Sequence, residues 1–82
     1  MEDGKIDYDE LKQMERRLIS AAPSLKQTER ELVLGALKKQ LDSGGVSSWE
    51  LREILMDLRK QNAISETDKK AVKRLAEEYL QN

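Results

Sequence analysis

The acidic side chains are the residues of this chain best suited to acid-base chemistry or metal binding, because the sequence contains neither Cys nor His. Those two absent residue types supply the usual thiolate nucleophile, the usual general base and most zinc ligands. Several carboxylates have a simpler role, since Asp7, Glu10, Glu50 and Asp68 stand where helix caps are expected. The other acids belong to solvated helix faces. We therefore expect no enzyme, no catalytic residue, no metal site and no cofactor.

Two segments share the order glycine, apolar residue, glutamate: residues 3–11 (DGKIDYDEL) and residues 43–51 (SGGVSSWEL). Each resembles the second half of an EF-hand calcium loop that runs into its exit helix. That family needs oxygen ligands at the first, third and fifth places of the loop. In the second segment these places fall on Lys39, Leu41 and Ser43, and the first segment begins too late to supply its first places. The resemblance therefore implies an EF-hand-like helical domain that has lost calcium binding. Two good helix caps after glycine turns explain the same residues more simply.

The only basic cluster consists of Lys69, Lys70, Lys73 and Arg74. On a helix, Lys70, Lys73 and Arg74 would lie opposite the apolar stripe, where they could contact phosphates of DNA or RNA. Acidic residues four positions away from these cations are equally typical of an ordinary solvated helix face. The formal net charge of −1 shows no basic excess. Nucleic-acid binding is therefore the alternative function rather than the first.

A second candidate surface lies on the predicted third helix. At 100 degrees per residue, Trp49 and Met56 project away from the apolar stripe of that helix and lie beside Glu53 and Lys60. Trp and Met are enriched in the cores of protein interfaces, so these four residues could bind a protein partner or mediate self-association. The competing interpretation is that the N-terminal residues or the first helix cover Trp49. We predict a protein-interaction or regulatory module whose partner the sequence does not name.

Helix starts position these residues. A β-branched residue, then Asp or Ser, then an acidic residue three positions later marks a hydrophobic staple and a capping box. The pattern predicts helices from after Asp7 to about Ser20, from about Ser48 to Gln61 and from about Glu66 to Leu80. A further helix begins at either Ser24 or Thr28. Its apolar residues cover much of the circumference, which predicts that it is the most buried helix. We also expect Asn62 to adopt the left-handed conformation between the last two helices.

The predicted fold is an all-α, compact four-helix domain over residues 1–82, built from hairpin 1 (about 7–41) and hairpin 2 (about 47–80). The hairpins align as an internal repeat at an offset of 40 and then 39 residues, which pairs Ile6 with Val46, Leu11 with Leu51 and Val33 with Val72. Two such hairpins would bury matching stripes against each other. The alternative is that any two amphipathic hairpins align this well, so the repeat is a hypothesis.

Composition excludes several other classes of protein. Apolar and charged residues each make up 38% of the chain, which is typical of a small folded domain rather than a disordered segment. No apolar run approaches the roughly 20 residues that span a membrane, and the N-terminus does not resemble a secretory signal. We therefore expect a soluble, cytoplasmic protein without a membrane partner.

Overall fold

Four helices form the protein in the computed structural model, which describes residues 5–80. They are α1 (Tyr8–Ala21), α2 (Gln27–Asp42), α3 (Ser48–Lys60) and α4 (Glu66–Leu80). Each helix packs against its neighbours in the chain, and α4 closes the ring by packing against α1. The predicted all-α four-helix domain is therefore confirmed.

Capping residues start α1 and α3 where the sequence predicts. The Asp7 carboxylate accepts a hydrogen bond from the Glu10 backbone N–H at 2.8 Å, and the Glu10 carboxylate accepts one from the Asp7 N–H at 3.1 Å. At α3 the Glu50 carboxylate accepts from the Ser47 N–H at 3.2 Å. These side chains satisfy backbone donors that have no partner inside the helix. Both helix starts depend only on residues three positions apart.

The start of α2 differs from both sequence predictions. The helix begins at Gln27, and Glu29 accepts a hydrogen bond from the Lys26 backbone N–H at 2.7 Å. Ser24 does not cap α2, because its hydroxyl is hydrogen-bonded to a side chain of α4. Thr28 lies inside the first turn. A tertiary contact therefore decides how Ser24 is used.

The hydrophobic core lies inside the ring and takes residues from all four helices and from the loops between them. Its largest fully buried side chains are aliphatic: Ile6, Met14, Leu18, Leu25, Leu37, Leu55, Ile64, Val33, Val46 and Val72. The prediction that α2 is the most buried helix is wrong. It buries three residues, whereas α4 buries five. Leu32 of α2 is half exposed, because only one side of that helix faces the ring.

Loops hold the two hairpins together at one end of the ring. Ile6 and Val46 form an isolated antiparallel bridge, in which the Ile6 N–H donates to the Val46 carbonyl at 2.9 Å. The turn before Val46 needs glycine, since Gly44 and Gly45 have φ of 135° and 119°. Asn62 has φ of 56°, which confirms the left-handed conformation predicted for it. The bridge joins two positions that the proposed repeat pairs, and the repeat itself stays a hypothesis.

Candidate functional site

The outer face of α3 presents two large apolar side chains to solvent. Trp49 is 65% exposed and Met56 is 39% exposed. They lie two helical turns apart, and together with Arg52 and Glu53 they line a depression of about 220 Å³. Helix α1 does not cover Trp49, because it packs against α2 and α4 instead. The N-terminal residues 1–4, the other predicted cover, lie outside the described residues.

A groove between α3 and α4 continues this face. Arg52, Leu55 and Met56 line it from α3, and Lys69 and Lys73 line it from α4, around a volume of about 420 Å³. Arg52 and Met56 border both depressions, so the two form one continuous surface. We call the residues Trp49, Arg52, Leu55, Met56, Lys69 and Lys73 the α3–α4 surface.

The α3–α4 surface combines an apolar floor with cations. Glu66 lies within 3.7 Å of the Lys69 ammonium and 3.8 Å of the Arg59 guanidinium, measured from its carboxylate oxygens. Its side chain is about half exposed, so this pairing is weak and screened by salt. Within residues 5–80, neither Arg52 nor Lys73 has a carboxylate within ion-pair distance. Their charges are therefore free to meet charges on a partner.

The structure brings together most of the residues predicted from the sequence for partner binding. Trp49, Glu53 and Met56 line one depression, whereas Lys60 does not line it. Sequence reasoning missed Arg52, although it lies three residues after Trp49 and four before Met56 and so shares their side of a helix. It had no signal for the contribution of α4, because that contribution depends on how α3 and α4 pack.

The basic cluster predicted for nucleic-acid binding is divided by the packing of α4. Lys69 and Lys73 face the groove beside α3. Lys70 and Arg74 line a separate depression of about 290 Å³ with Thr67 and Ala71. The four cations therefore border two different depressions. Two of them belong to the surface that also carries Trp49.

The second segment that resembles an EF-hand loop is helical at its first and third ligand places. Lys39 and Leu41, at the first and third ligand places, lie inside α2, and Leu41 is buried. The carboxylate of Glu50, at the closing place, accepts a hydrogen bond from the backbone N–H of Ser47. Across residues 5–80, no group of three or more acidic, His or Cys side chains is arranged to hold a metal. Residues 3 and 4 of the first segment lie outside the described residues, and EF-hand-like packing without calcium stays a hypothesis.

Polar contacts away from the α3–α4 surface serve to join helices. The Tyr8 hydroxyl donates a hydrogen bond to the Asp42 carboxylate and so joins α1 to the end of α2. This bond, with smaller contributions from desolvation and from the Asp42 charge, raises the pKa of Tyr8. Arg17 of α1 forms a salt bridge of 2.9 Å with Glu78 of α4. Each contact joins two helices of the ring.

Comparison with known proteins adds no functional assignment. No protein-family model matches the chain, and no curated protein or solved structure is significantly similar to it. None of the helices within residues 5–80 has the length and apolarity to cross a membrane. The cytoplasmic location stays a prediction. Fold and site together define a small all-α four-helix domain that carries an exposed aromatic and cationic surface on α3 and α4.

Proposed function

We propose that the protein is a non-enzymatic interaction or regulatory module, and that its α3–α4 surface binds a partner protein. The observation that supports this proposal is the exposure of Trp49 beside Met56 on one depression. Trp, Met and Arg are enriched in interface cores, and the α3–α4 surface carries all three types. Within residues 5–80, no group of three or more acidic side chains is arranged to hold a metal ion.

The exposed indole provides enough apolar area to matter for affinity. Two-thirds of a Trp side chain is about 150 Å², which corresponds to about 4 kcal/mol when removed from water. Ordering and desolvation costs reduce this value in a real complex. Truncation of an anchoring Trp commonly costs at least about 2 kcal/mol, or about thirtyfold in affinity. Trp49 is therefore the residue whose loss should affect binding most.

A comparison of variants tests the proposal. The full chain carrying Trp49→Ala and Met56→Ala is used as bait beside the wild type in quantitative affinity purification from the source cells. Matched controls are Ile19→Ala and Leu32→Ala, which truncate apolar side chains of similar exposure on α1 and α2. We expect the double variant to recover at least tenfold less of each specific partner, while the controls retain it. Equal recovery by the double variant, with its helix content unchanged by circular dichroism, would refute the proposal.

Nucleic-acid binding by α4 is the second candidate function. Lys70 and Arg74 border one depression on the face of α4 away from α3, which supports phosphate contact there. The test is a gel shift at low salt with duplex DNA and with single-stranded RNA. Binding should weaken when Lys70, Lys73 and Arg74 are replaced by Gln, and the candidate fails if the wild type retards neither nucleic acid.

A further inference from the structure

The charge distribution of the α3–α4 surface differs from that of the whole chain. The chain has a formal net charge of −1, yet the groove is lined by Arg52, Lys69 and Lys73 with no acidic side chain among its lining residues. Of these three cations, Lys69 alone has a carboxylate within ion-pair distance among residues 5–80, supplied by Glu66. A cationic groove on a slightly acidic protein favours an anionic partner, because complementary potentials steer association and select partners.

We propose that the partner binds through an acidic amphipathic helix, whose apolar side chains contact Trp49 and Met56 and whose carboxylates pair with Arg52, Lys69 and Lys73. This inference rests on the proposed function and specifies its partner. An apolar floor edged by cations matches a helix with one apolar stripe flanked by Glu or Asp. The guanidinium of Arg52 can bind a carboxylate in bidentate fashion.

The side chains suit such a ligand for two further reasons. Lys and Arg place apolar stems against a partner while their charged ends stay in water, so the edges of the groove also bury apolar area. Met56 is flexible and polarizable, which lets the floor adapt to apolar side chains of different shape. Leu55 lines the floor from the core side of α3 and is itself almost fully buried, which makes the base of the groove firm.

A second copy of this chain fits the surface less well. In a two-fold dimer through the α3–α4 surface, the same patch would face itself. Arg52, Lys69 and Lys73 would then approach the same three cations, and the groove itself has no acidic lining residue to offset them, since Glu53 lies at its outer edge and Glu66 already pairs with Lys69. Like charges brought together in an interface cost binding energy.

Nucleic acid also fits less well than an acidic helix. Proteins that bind DNA through its backbone commonly make about six to ten phosphate contacts, whereas this groove offers three cations. The apolar area of Trp49 and Met56 has no equivalent partner along a duplex backbone. An acidic helix uses both the cations and the apolar side chains.

Peptide selection on the full-length protein tests the proposal without a known partner. A phage library of random 16-residue peptides without Trp is selected on the wild type, and individual peptides are then synthesised. Trp49 is the only Trp in the chain, so its fluorescence reports binding at this surface directly. We expect selected peptides to be enriched in Glu and Asp at helical spacing from apolar residues, and to shift Trp49 emission to shorter wavelength.

Charge reversal provides the decisive variant. The groove variant combines Arg52→Glu, Lys69→Glu and Lys73→Glu. It should bind the selected peptides at least tenfold more weakly than the wild type, and the wild-type affinity should fall as salt is raised. Circular dichroism establishes that the variant keeps its helices. If it does not fold, the three residues are replaced by Gln, which should weaken binding in the same direction.

A matched control reverses the same number of charges elsewhere. Lys12→Glu, Arg16→Glu and Lys38→Glu change exposed cations of α1 and α2 and give the same net charge as the groove variant. We expect this control to change affinity less than threefold. An equal loss in both variants would show that net charge alone attracts the peptides, and would overturn the proposal.

The remaining outcomes separate this inference from the proposed function. Peptides that shift Trp49 emission without acidic enrichment, or that tolerate the groove variant, would overturn the acidic partner and leave the interaction surface intact. Selected peptides that bind Trp49→Ala as well as the wild type would overturn both. Dimerisation lost in Trp49→Ala, measured by sedimentation, would identify a second copy as the occupant and overturn the acidic helix. A gel shift of duplex DNA lost in the groove variant would likewise identify nucleic acid.

Discussion

Removal of the hydrogen bond between Ser24 and Asp68 should destabilise the whole domain. Asp68 is only 3% exposed, and its carboxylate accepts a hydrogen bond of 2.5 Å from the Ser24 hydroxyl. Its backbone N–H donates to the Ser65 hydroxyl at 3.1 Å, so Asp68 lies in the first turn of α4. The contact joins the loop after α1 to the start of α4, which in turn positions Lys69 beside α3.

The size of the effect follows from burial and charge. A hydrogen bond to a charged group contributes about 1.5 to 3 kcal/mol, and an acid in the first helical turn adds about 0.3 to 1 kcal/mol through the helix dipole. Asp68→Ala should therefore cost about 2 to 4 kcal/mol. Ser24→Ala should cost about 1.5 to 3 kcal/mol, because it leaves a buried carboxylate without this donor. A domain of this size has about 4 to 12 kcal/mol of stability in total, so both losses are large.

A double-mutant cycle isolates the contact itself. In the Asp68→Ala background, Ser24→Ala should cost almost nothing, because Ser24 is exposed and its hydroxyl can bind water. The coupling energy should then be about 1.5 to 3 kcal/mol. Urea unfolding followed by circular dichroism measures it, since the exposed Trp49 is a poor reporter of unfolding. Costs that add within about 0.5 kcal/mol would refute the reasoning.

Two further predictions use other contacts. Leu18→Ala should lower the free energy of unfolding by about 2 to 5 kcal/mol, because Leu18 is fully buried. Ile19 is its exposed neighbour and serves as the control, so Ile19→Ala should change the free energy of unfolding by less than about 0.5 kcal/mol. Equal losses in urea unfolding would contradict the assigned core. Asp42→Ala should lower the pKa of Tyr8 towards the ordinary value, as measured by NMR titration of its ring. Because the folded pKa is the raised one, this contact stabilises the protein below about pH 10 and its contribution is lost as pH rises through the folded pKa. An unchanged pKa in Asp42→Ala would exclude the hydrogen bond as the cause.

The starts of α1, α3 and α4 were predictable because capping is local. Asp7 and Glu10 satisfy each other's backbone donors within one turn, and the Ser65 hydroxyl accepts a hydrogen bond from the Asp68 N–H. No distant residue takes part in these bonds. The predicted capping role of the Asp68 carboxylate is wrong, because that carboxylate accepts from the Ser24 hydroxyl. The start of α2 could not be predicted by the same rule. Ser24 has the right residue type for a cap, but its hydroxyl donates a hydrogen bond to a carboxylate 44 positions away instead.

The candidate site was predictable on one helix and unpredictable across two. The spacing of Trp49 and Met56 placed both on the outer face of α3, and their exposure agrees with that placement. The spacing of Lys69 and Lys73 indicated only a charged face of α4. It did not show that this face forms a groove with Arg52.

The sequence by itself determined three of the four helix starts, the aliphatic composition of the core and the outward direction of Trp49. These properties follow from bonds and periodicities that act within a few turns of one helix. Only the tertiary structure decided which helix is most buried, how the basic cluster is divided and which cations adjoin Trp49. Those outcomes depend on which faces meet when the ring closes, because packing joins residues whose separation along the chain carries no local signal.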